Sequence, residues 1–306
     1  MRYRTSNNYN PILVTGSHRS GTTWVGRMLA TFPYVAYIPE IFNNRFGLLK
    51  KQDVVSHDYL YLKKEGDNPA LVKEIENILQ YNFFKLHSGS TLVLSLKNSY
   101  RYLSKILTYS PRPLLKDPLA ALSSEYLARK FSMRVVVVVR HPAAFTYSLK
   151  RLGWDFDVSL FLNQPLLMRD HLGEYKRELL RWANDDVGAA AIAWKCIYHV
   201  LKTYMERNPN WIVCRHEDLS MEPINQFRHL YEMLNITFTK RSRRKIERHS
   251  DPANPVTALG NVEHYLYRDS RSNIKIWEKY LAVREVDKIR RIVDDVSKCY
   301  YSEDDW

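Results

Sequence analysis

Two glycines, Gly16 and Gly21, bound the segment with the clearest chemistry in the sequence. The segment reads Gly-Ser-His-Arg-Ser-Gly-Thr-Thr and has the spacing of a phosphate-binding loop, G-x-x-x-x-G-K-[ST]. Glycines let the backbone turn tightly, so that successive N–H groups converge on a phosphate at the start of a helix. Thr22 stands where a triphosphate-binding loop has lysine, and Arg19 supplies a cation inside the loop. This pattern favours a ligand with one phosphate and one further transferable anion.

The elements that must position this loop follow from the hydrophobic pattern. Apolar strand-like runs alternate with helical patterns, which is typical of a parallel sheet wrapped by helices. Strands are predicted at residues 11–15, 35–38, 91–96, 113–116, 134–139 and 211–214. Helices are predicted at residues 25–32, 70–84, 119–131, from 142, 187–207, 222–234 and over most of 239–298. The valines at 135–139 need cover on both faces, which predicts that their strand lies at the sheet centre. The fold class is therefore α/β, in one domain with a helical C-terminal part.

Composition narrows the class of protein. The chain has 306 residues, is 45% apolar and carries a net charge of +13, which is typical of a globular protein with an anionic partner. Nucleic acid, an anionic membrane, an acidic glycan and a phosphorylated small molecule all remain open. Three separated cysteines exclude a disulfide framework and a cysteine-based zinc site. With no apolar leader and no run near the roughly 20 residues of a membrane helix, we expect a soluble, cytoplasmic protein.

Two charged segments are given the simplest interpretation. The basic run at residues 240–245 is expected to be a solvated face of a late helix. The acidic residues 303–306 are expected to be mobile.

Residues 19–24, Arg-Ser-Gly-Thr-Thr-Trp, resemble the 5′-phosphosulfate loop of the P-loop sulfotransferases. These enzymes move a sulfuryl group from 3′-phosphoadenosine-5′-phosphosulfate (PAPS) to an acceptor hydroxyl or amine. The arginine at position 19 resembles the tyrosylprotein and many bacterial members of the family, which also have arginine at this position of the loop. Over about residues 11–280, the resemblance implies a PAPS-binding core at 11–40 and 113–220, acceptor-side insertions at 41–110 and 152–175, and C-terminal helices with a 3′-phosphate loop at 239–300. The implied donor-binding residues here are His18, Arg19, Ser20, Gly21, Thr22, Thr23 and Trp24.

The resemblance implies a second donor contact at Arg140 and Ser148. Arg140 follows the valine strand and Ser148 lies about two turns into the next predicted helix, like the 3′-phosphate site of the family. A cation at a strand end and a hydroxyl on a helix face can reach the same phosphate.

Two later segments resemble the family less closely. Residues 214–219 are similar to its Tyr-Glu-Asp-Leu strand end, with His216 in place of the tyrosine that lies near the nucleotide. Residues 268–273 resemble the loop that closes on the 3′-phosphate. They offer Arg271 and Ser272, with Arg268 as a substitute. Three tryptophans are candidates for adenine stacking as well as for the core: Trp24, Trp194 and Trp277.

Sulfuryl transfer needs a base for the acceptor proton and cations for the sulfuryl oxygens. Glu40 follows the second predicted strand and should lie at the same sheet edge as the loop. The resemblance implies that it is the catalytic base, as in the tyrosylprotein and glycan branches. His57 and His87 are alternative bases.

Lys116, in Leu-Leu-Lys-Asp-Pro, resembles the lysine of the family that touches the transferring sulfuryl group. Arg19 would help Lys116 to stabilise the negative charge of the sulfuryl group. The alternative for Lys116 is a structural ion pair with Asp117.

Other functions remain open at this stage. A P-loop nucleotide or small-molecule kinase is disfavoured by the missing lysine and the absence of an evident Mg²⁺ ligand, and no metal is expected. No nucleic-acid-binding motif accompanies the positive charge, so no nucleic-acid partner is expected.

A glycan or glycolipid hydroxyl is the predicted acceptor, with a lipophilic alcohol, a phenol or tyrosine as alternatives. The oligomeric state is left open. The aromatic and basic residues predicted to line the acceptor cleft are Tyr59, Tyr61, Tyr100, Arg101, Tyr102, Trp154 and Phe156.

Overall fold

A five-stranded parallel sheet organises the protein in a computed structural model that describes residues 10–43, 58–64, 66–81, 110–257 and 266–306. The strands are β1 Ile12–Gly16, β2 Val35–Ile38, β3 Arg112–Lys116, β4 Arg134–Val139 and β5 Ile212–Arg215. Their order is β2-β3-β1-β4-β5, and every neighbouring pair is parallel. The predicted α/β class with a central parallel sheet is confirmed.

The helices cover the sheet on both faces and fill the C-terminal part. They are α1 Thr22–Leu29, α2 Pro69–Leu79, α3 Ser124–Phe131, α4 Pro142–Leu152, α5 Ser159–Leu162, α6 Pro165–Leu167, α7 Lys176–Trp182, α8 Asp186–Arg207, α9 His216–Met221, α10 Pro223–Met233, α11 Lys240–His249, α12 Trp277–Tyr280 and α13 Val283–Ser297. Short 3-10 helices are Pro118–Ser123, Gly173–Tyr175 and Glu303–Asp305, and Met168–Leu172 is a π-helical turn. The helix predicted at 119–131 thus begins as a 3-10 helix. The predicted strand at 91–96 lies outside the described residues.

The valine strand β4 lies between β1 and β5, and β1 holds the central position. The prediction that β4 is an interior strand covered on both faces is confirmed, but it is one strand away from the centre. Its alternate valines serve two layers. Val135 and Val137 pack in the layer that contains the buried residues of α8, whereas Val136 and Val138 pack in the layer of α1 and α10. An interior strand needs cover on both faces wherever it lies, so its composition alone does not fix its position.

Two charged segments have different outcomes. The basic run forms α11, which turns Ser242, Ile246 and His249 inward and leaves most of its cations exposed, as predicted. The prediction of a mobile acidic segment at 303–306 is wrong. Asp305 pairs with Arg215 at the end of β5, and Trp306 packs against His141 just after β4.

Among the described residues, no helix combines the length and apolar character needed to cross a membrane.

Candidate active site

One cleft of about 930 Å³ opens at the carboxyl edge of the sheet. Parallel strands end at the same edge, so residues that follow different strands meet there. Each of the five strands contributes one predicted site residue to the lining of the cleft, in the order β1 to β5: Arg19, Glu40, Lys116, Arg140 and His216. Residues far apart in the chain are therefore brought to one site by the topology alone.

The loop between β1 and α1 requires both of its glycines. Gly16 has a φ of 146°, and a Cβ atom there would lie 2.2 Å from the carbonyl oxygen of Val138. Gly21 has a φ of 97°, and a Cβ atom there would lie 2.7 Å from Nδ1 of His216. Both angles are in the left-handed region that favours glycine. The backbone of the loop consequently lies close to β4 and to the start of α9.

Two tyrosines hold the loop: Tyr59, which was predicted to line the acceptor cleft, and Tyr198, which was not predicted for the site. The Ser17 N–H donates to the hydroxyl of Tyr198 at 3.2 Å, and that hydroxyl donates to the Val138 carbonyl at 2.8 Å. The His18 N–H donates to the hydroxyl of Tyr59 at 3.0 Å. Tyr198 lies on α8, far from the loop in the chain, and only the packing of α8 on the sheet brings it there. No local sequence signal identifies it.

Arg19, Arg140 and Ser148 form one cluster beside the loop. Arg19 Nε donates to Ser148 Oγ at 3.1 Å, and an Arg140 NH donates to the Arg19 carbonyl at 2.9 Å. A second Arg140 NH donates to Asn273 Oδ1 at 3.3 Å. Burial lowers the pKa of Arg140, and its Nε is buried with no hydrogen-bond partner among the described residues. Two guanidinium groups and a hydroxyl so close together have the chemistry to bind an anion.

Glu40 and Lys116 form an ion pair in the same cleft. The Lys116 ammonium contacts Glu40 Oε1, and Glu40 Oε2 accepts a hydrogen bond of 2.7 Å from Asn43 Nδ2. The side chain of Lys116 is 3% exposed and that of Glu40 is 23% exposed. The pair places a carboxylate and an ammonium group together at the ends of the neighbouring strands β2 and β3.

Asp117 does not form the ion pair with Lys116 that was the alternative role for that lysine, because Lys116 is paired with Glu40. Its carboxylate accepts the N–H groups of Ile41 at 2.6 Å and Phe42 at 2.7 Å. It also accepts the N–H of Leu119 at 3.0 Å and so caps the 3-10 helix that follows. Asp117 therefore fixes the chain directly after Glu40 and orients the base candidate.

Trp24 and His216 lie together on another part of the cleft wall. Their rings meet edge to face, with centroids 5.8 Å apart. Burial, and then the charge of Arg140, lower the pKa of His216 to about 3, so the ring is neutral. Trp194 is fully buried and donates to the Arg140 carbonyl at 2.8 Å. Trp277 stacks on His141, and of the three tryptophans only Trp24 lines the cleft.

The segment predicted to close on the 3′-phosphate is only partly at the cleft. Arg271 is exposed and donates to the Met221 carbonyl at 2.8 Å, and Ser272 is also exposed. Neither residue lines the cleft. The residues of this segment that do so are Arg268, Ser270 and Asn273. A turn after Ser270 directs the next two side chains outward, which the sequence pattern does not reveal.

The remaining candidates fall into three groups. Tyr59, Trp154 and Phe156 line the cleft. Tyr61 is instead buried against the π-helical turn, where its hydroxyl donates to Asp170 at 3.1 Å. The candidates outside the described residues are His57, His87, Tyr100, Arg101 and Tyr102. Within the described ranges, no three His, Cys, Asp or Glu side chains are grouped as metal ligands.

A glycine-bounded loop between a strand and a helix, at the carboxyl edge of a parallel sheet, is typical of P-loop α/β proteins. Residues 11–240 match the family model described as "Sulfotransferase family". The chain belongs to this family and is a PAPS-dependent sulfotransferase, which excludes the kinase interpretation. No curated protein matches the chain.

Two solved structures share the fold. The sulfotransferase domain of the Synechococcus PCC 7002 olefin synthase is 16% identical, with a TM-score of 0.50, and the match covers 99% of this chain and 100% of that one. Mouse sulfotransferase SULT7A1, solved in complex with PAP, is 10% identical, with a TM-score of 0.51, and the match covers 98% of this chain and 88% of that one.

Proposed function

We propose that the loop at residues 16–23 and the cluster around Arg140 hold the two phosphorylated ends of PAPS. The backbone N–H groups of Thr22 and Thr23 suit the 5′-phosphosulfate, because they lie at the start of α1. Arg140 and Ser148 suit the 3′-phosphate. The support for this assignment is the buried Arg140 Nε, which has no described partner and is left to bond an anion. Trp24 and the neutral ring of His216 offer an apolar wall for the adenine.

We further propose that Glu40 removes the proton from the acceptor hydroxyl and that Lys116 and Arg19 stabilise the transferring sulfuryl group. The observation that carries this proposal is the Glu40–Lys116 ion pair in the same cleft as the loop. A carboxylate can accept the proton of the acceptor hydroxyl, and the ammonium group beside it can stabilise negative charge. Lys116 Nζ donates hydrogen bonds to oxygens on which negative charge develops during in-line displacement.

The acceptor that this cleft fits best is a hydroxyl of a glycan or glycolipid. Of the three predicted acceptor-side rings that line the cleft, Tyr59 and Phe156 are buried, whereas Trp154 is 39% exposed and offers a face on which the apolar face of a sugar ring can pack. Asp58, Asp155 and Asp157 also line the cleft, next to these rings in the chain. Carboxylates accept hydrogen bonds from hydroxyl groups, so this combination suits a hydroxyl-rich acceptor better than a purely lipophilic alcohol.

Labelled PAPS tested against panels of sugars, lipid alcohols and phenols identifies the acceptor class. Transfer to phenols alone would contradict the glycan proposal. The donor site is tested by titrating Arg140→Ala with 3′,5′-adenosine bisphosphate (PAP), and we expect a loss of about 2–3 kcal/mol in binding, the scale of a charged hydrogen bond left unmade. Arg134→Ala is the matched control, since Arg134 begins the same strand at the opposite edge and donates to the Met233 carbonyl at 3.0 Å. Equal PAP affinity in the two variants would refute the 3′-phosphate site.

A further inference from the structure

His141, the residue after Arg140, is enclosed by three aromatic rings. It stacks on Trp277 at 5.0 Å between centroids with an interplanar angle of 7°. The rings of Tyr301 and Trp306 meet it edge to face, with centroids at 4.9 Å and 4.4 Å. His141 is 2% exposed, so this enclosure fixes the backbone at the end of β4.

Glu217 connects the same two parts of the chain by hydrogen bonds. Its Oε1 accepts the N–H of His141 at 2.9 Å, and its Oε2 accepts the hydroxyl of Tyr301 at 3.0 Å. Glu217 is 6% exposed, and its negative charge lies near enough to Arg140 to favour the charged form of that arginine. One buried carboxylate thus ties residue 301 to the peptide N–H that directly follows Arg140.

Residues 301–306, named here the clamp segment, are anchored by charged groups. Arg215, at the end of β5, pairs with Asp305 and lies 4.7 Å from the centroid of the Tyr301 ring. Arg290 of α13 pairs with Glu303 and lies 5.5 Å from the ring of Trp306. The segment therefore joins the end of β5 and α13 to the residue that follows Arg140.

We infer that the clamp segment, through Trp306 and Tyr301, positions Arg140 for the 3′-phosphate of the donor. This inference rests on the proposed function of Arg140. The clamp residues do not line the cleft, so they act through His141 and Glu217 as positioning residues. Holding the ring and the N–H of His141 restrains the peptide plane between Arg140 and His141 and with it the ψ angle of Arg140. A preorganised guanidinium binds its anion without first being ordered.

The test compares Trp306→Ala, Trp306→Phe and Trp211→Ala in the full chain. Trp211→Ala is the matched control, because it also removes a partly buried indole but lies just before β5, at the sheet edge away from the cleft. Affinities for PAP and for 5′-AMP, which lacks the 3′-phosphate, are measured by calorimetry. We expect Trp306→Ala to weaken PAP about tenfold and 5′-AMP less than twofold, and Trp306→Phe to restore most of the PAP affinity.

The ratio of the two affinities separates positioning from general stability. If Trp306→Ala and Trp211→Ala keep the wild-type ratio of PAP to 5′-AMP affinity while Arg140→Ala loses it, the role of the clamp is refuted and the function of Arg140 stands. If Arg140→Ala also keeps the ratio, the 3′-phosphate site itself is wrong and the inference fails with it. Loss of the ratio in Trp306→Ala but not in Trp211→Ala supports the inference.

Discussion

Glu40→Gln is the substitution that tests the proposed chemistry most directly. Glutamine keeps the shape of the side chain and an oxygen for the Asn43 hydrogen bond, but it removes the negative charge that pairs with Lys116. Breaking a fully buried ion pair costs roughly 3–5 kcal/mol. Since the Glu40 side chain is 23% exposed, solvent offsets part of this cost, and we expect a loss of about 2 kcal/mol in the free energy of unfolding.

The effect on turnover should be larger than the effect on stability. Removal of a general base lowers the rate by about 10²–10⁴-fold. We expect kcat to fall within this range, whereas the affinity for PAP stays within about twofold of wild type, because the proposed phosphate contacts come from the loop and Arg140. Single-turnover transfer from labelled PAPS measures the rate, calorimetry measures PAP binding, and urea unfolding measures stability.

Glu178→Gln is the matched control for this substitution. Glu178 pairs at 3.1 Å with Lys195, a lysine whose side chain is 7% exposed, and neither residue lines the cleft. Lys195 also pairs with Asp295 at 3.2 Å, so this control should lose less stability than Glu40→Gln and should retain kcat. The role of Glu40 as the base is refuted if Glu40→Gln turns over at the wild-type rate, or if it loses PAP binding with its turnover at saturation intact.

Three further predictions concern the lysine, the loop and the response to pH. Lys116→Ala should lower kcat about 10²–10³-fold, with the KM for PAPS changed only a few-fold; a normal kcat in a rapid-quench assay would give Lys116 a structural role instead. Gly16→Ala should abolish PAP binding in a titration, because its Cβ would lie 2.2 Å from the Val138 carbonyl, and full affinity would contradict this account of the loop. Burial lowers the pKa of His141 to about 3, so its contribution to stability is complete above about pH 6.5 and is lost as pH falls toward 3, by about 1.4 kcal/mol per pH unit. Between pH 7 and pH 5 only the roughly 1.5 pH units below 6.5 contribute, so in urea unfolding His141→Asn should lose about 2 kcal/mol less stability than wild type, and equal losses would contradict a neutral buried imidazole.

The glycine loop shows what local sequence can predict about a site. Its spacing, its place between a strand and a helix, and the left-handed φ angles at Gly16 and Gly21 are properties of a few consecutive residues. Short-range backbone sterics fix them, so they are visible before the fold is known. The burial of the valine strand on both faces can also be predicted from its sequence. Its place beside β1 rather than at the sheet centre depends on which strands pair with it.

Contacts between distant segments could not be predicted in this way. Lys116 has an acidic neighbour in the chain, Asp117, yet it pairs with Glu40, because β2 and β3 lie side by side and Asp117 is occupied by backbone N–H groups. The sequence predicts that the segment at residues 303–306 is mobile, because only the position of Arg215 at the end of β5 gives Asp305 a partner.

The sequence by itself determined the α/β fold and the glycine-bounded loop, because these depend on residue type and short-range geometry, and its resemblance to a family supplied the candidates for donor binding and transfer. The tertiary structure alone decided which of them meet. Sheet order brings Arg19, Glu40, Lys116, Arg140 and His216 to one edge. Tyr198 of α8 then holds the loop, and residues 301–306 pack at the end of β4. Side chains distant in the chain can act together only where the fold makes them neighbours.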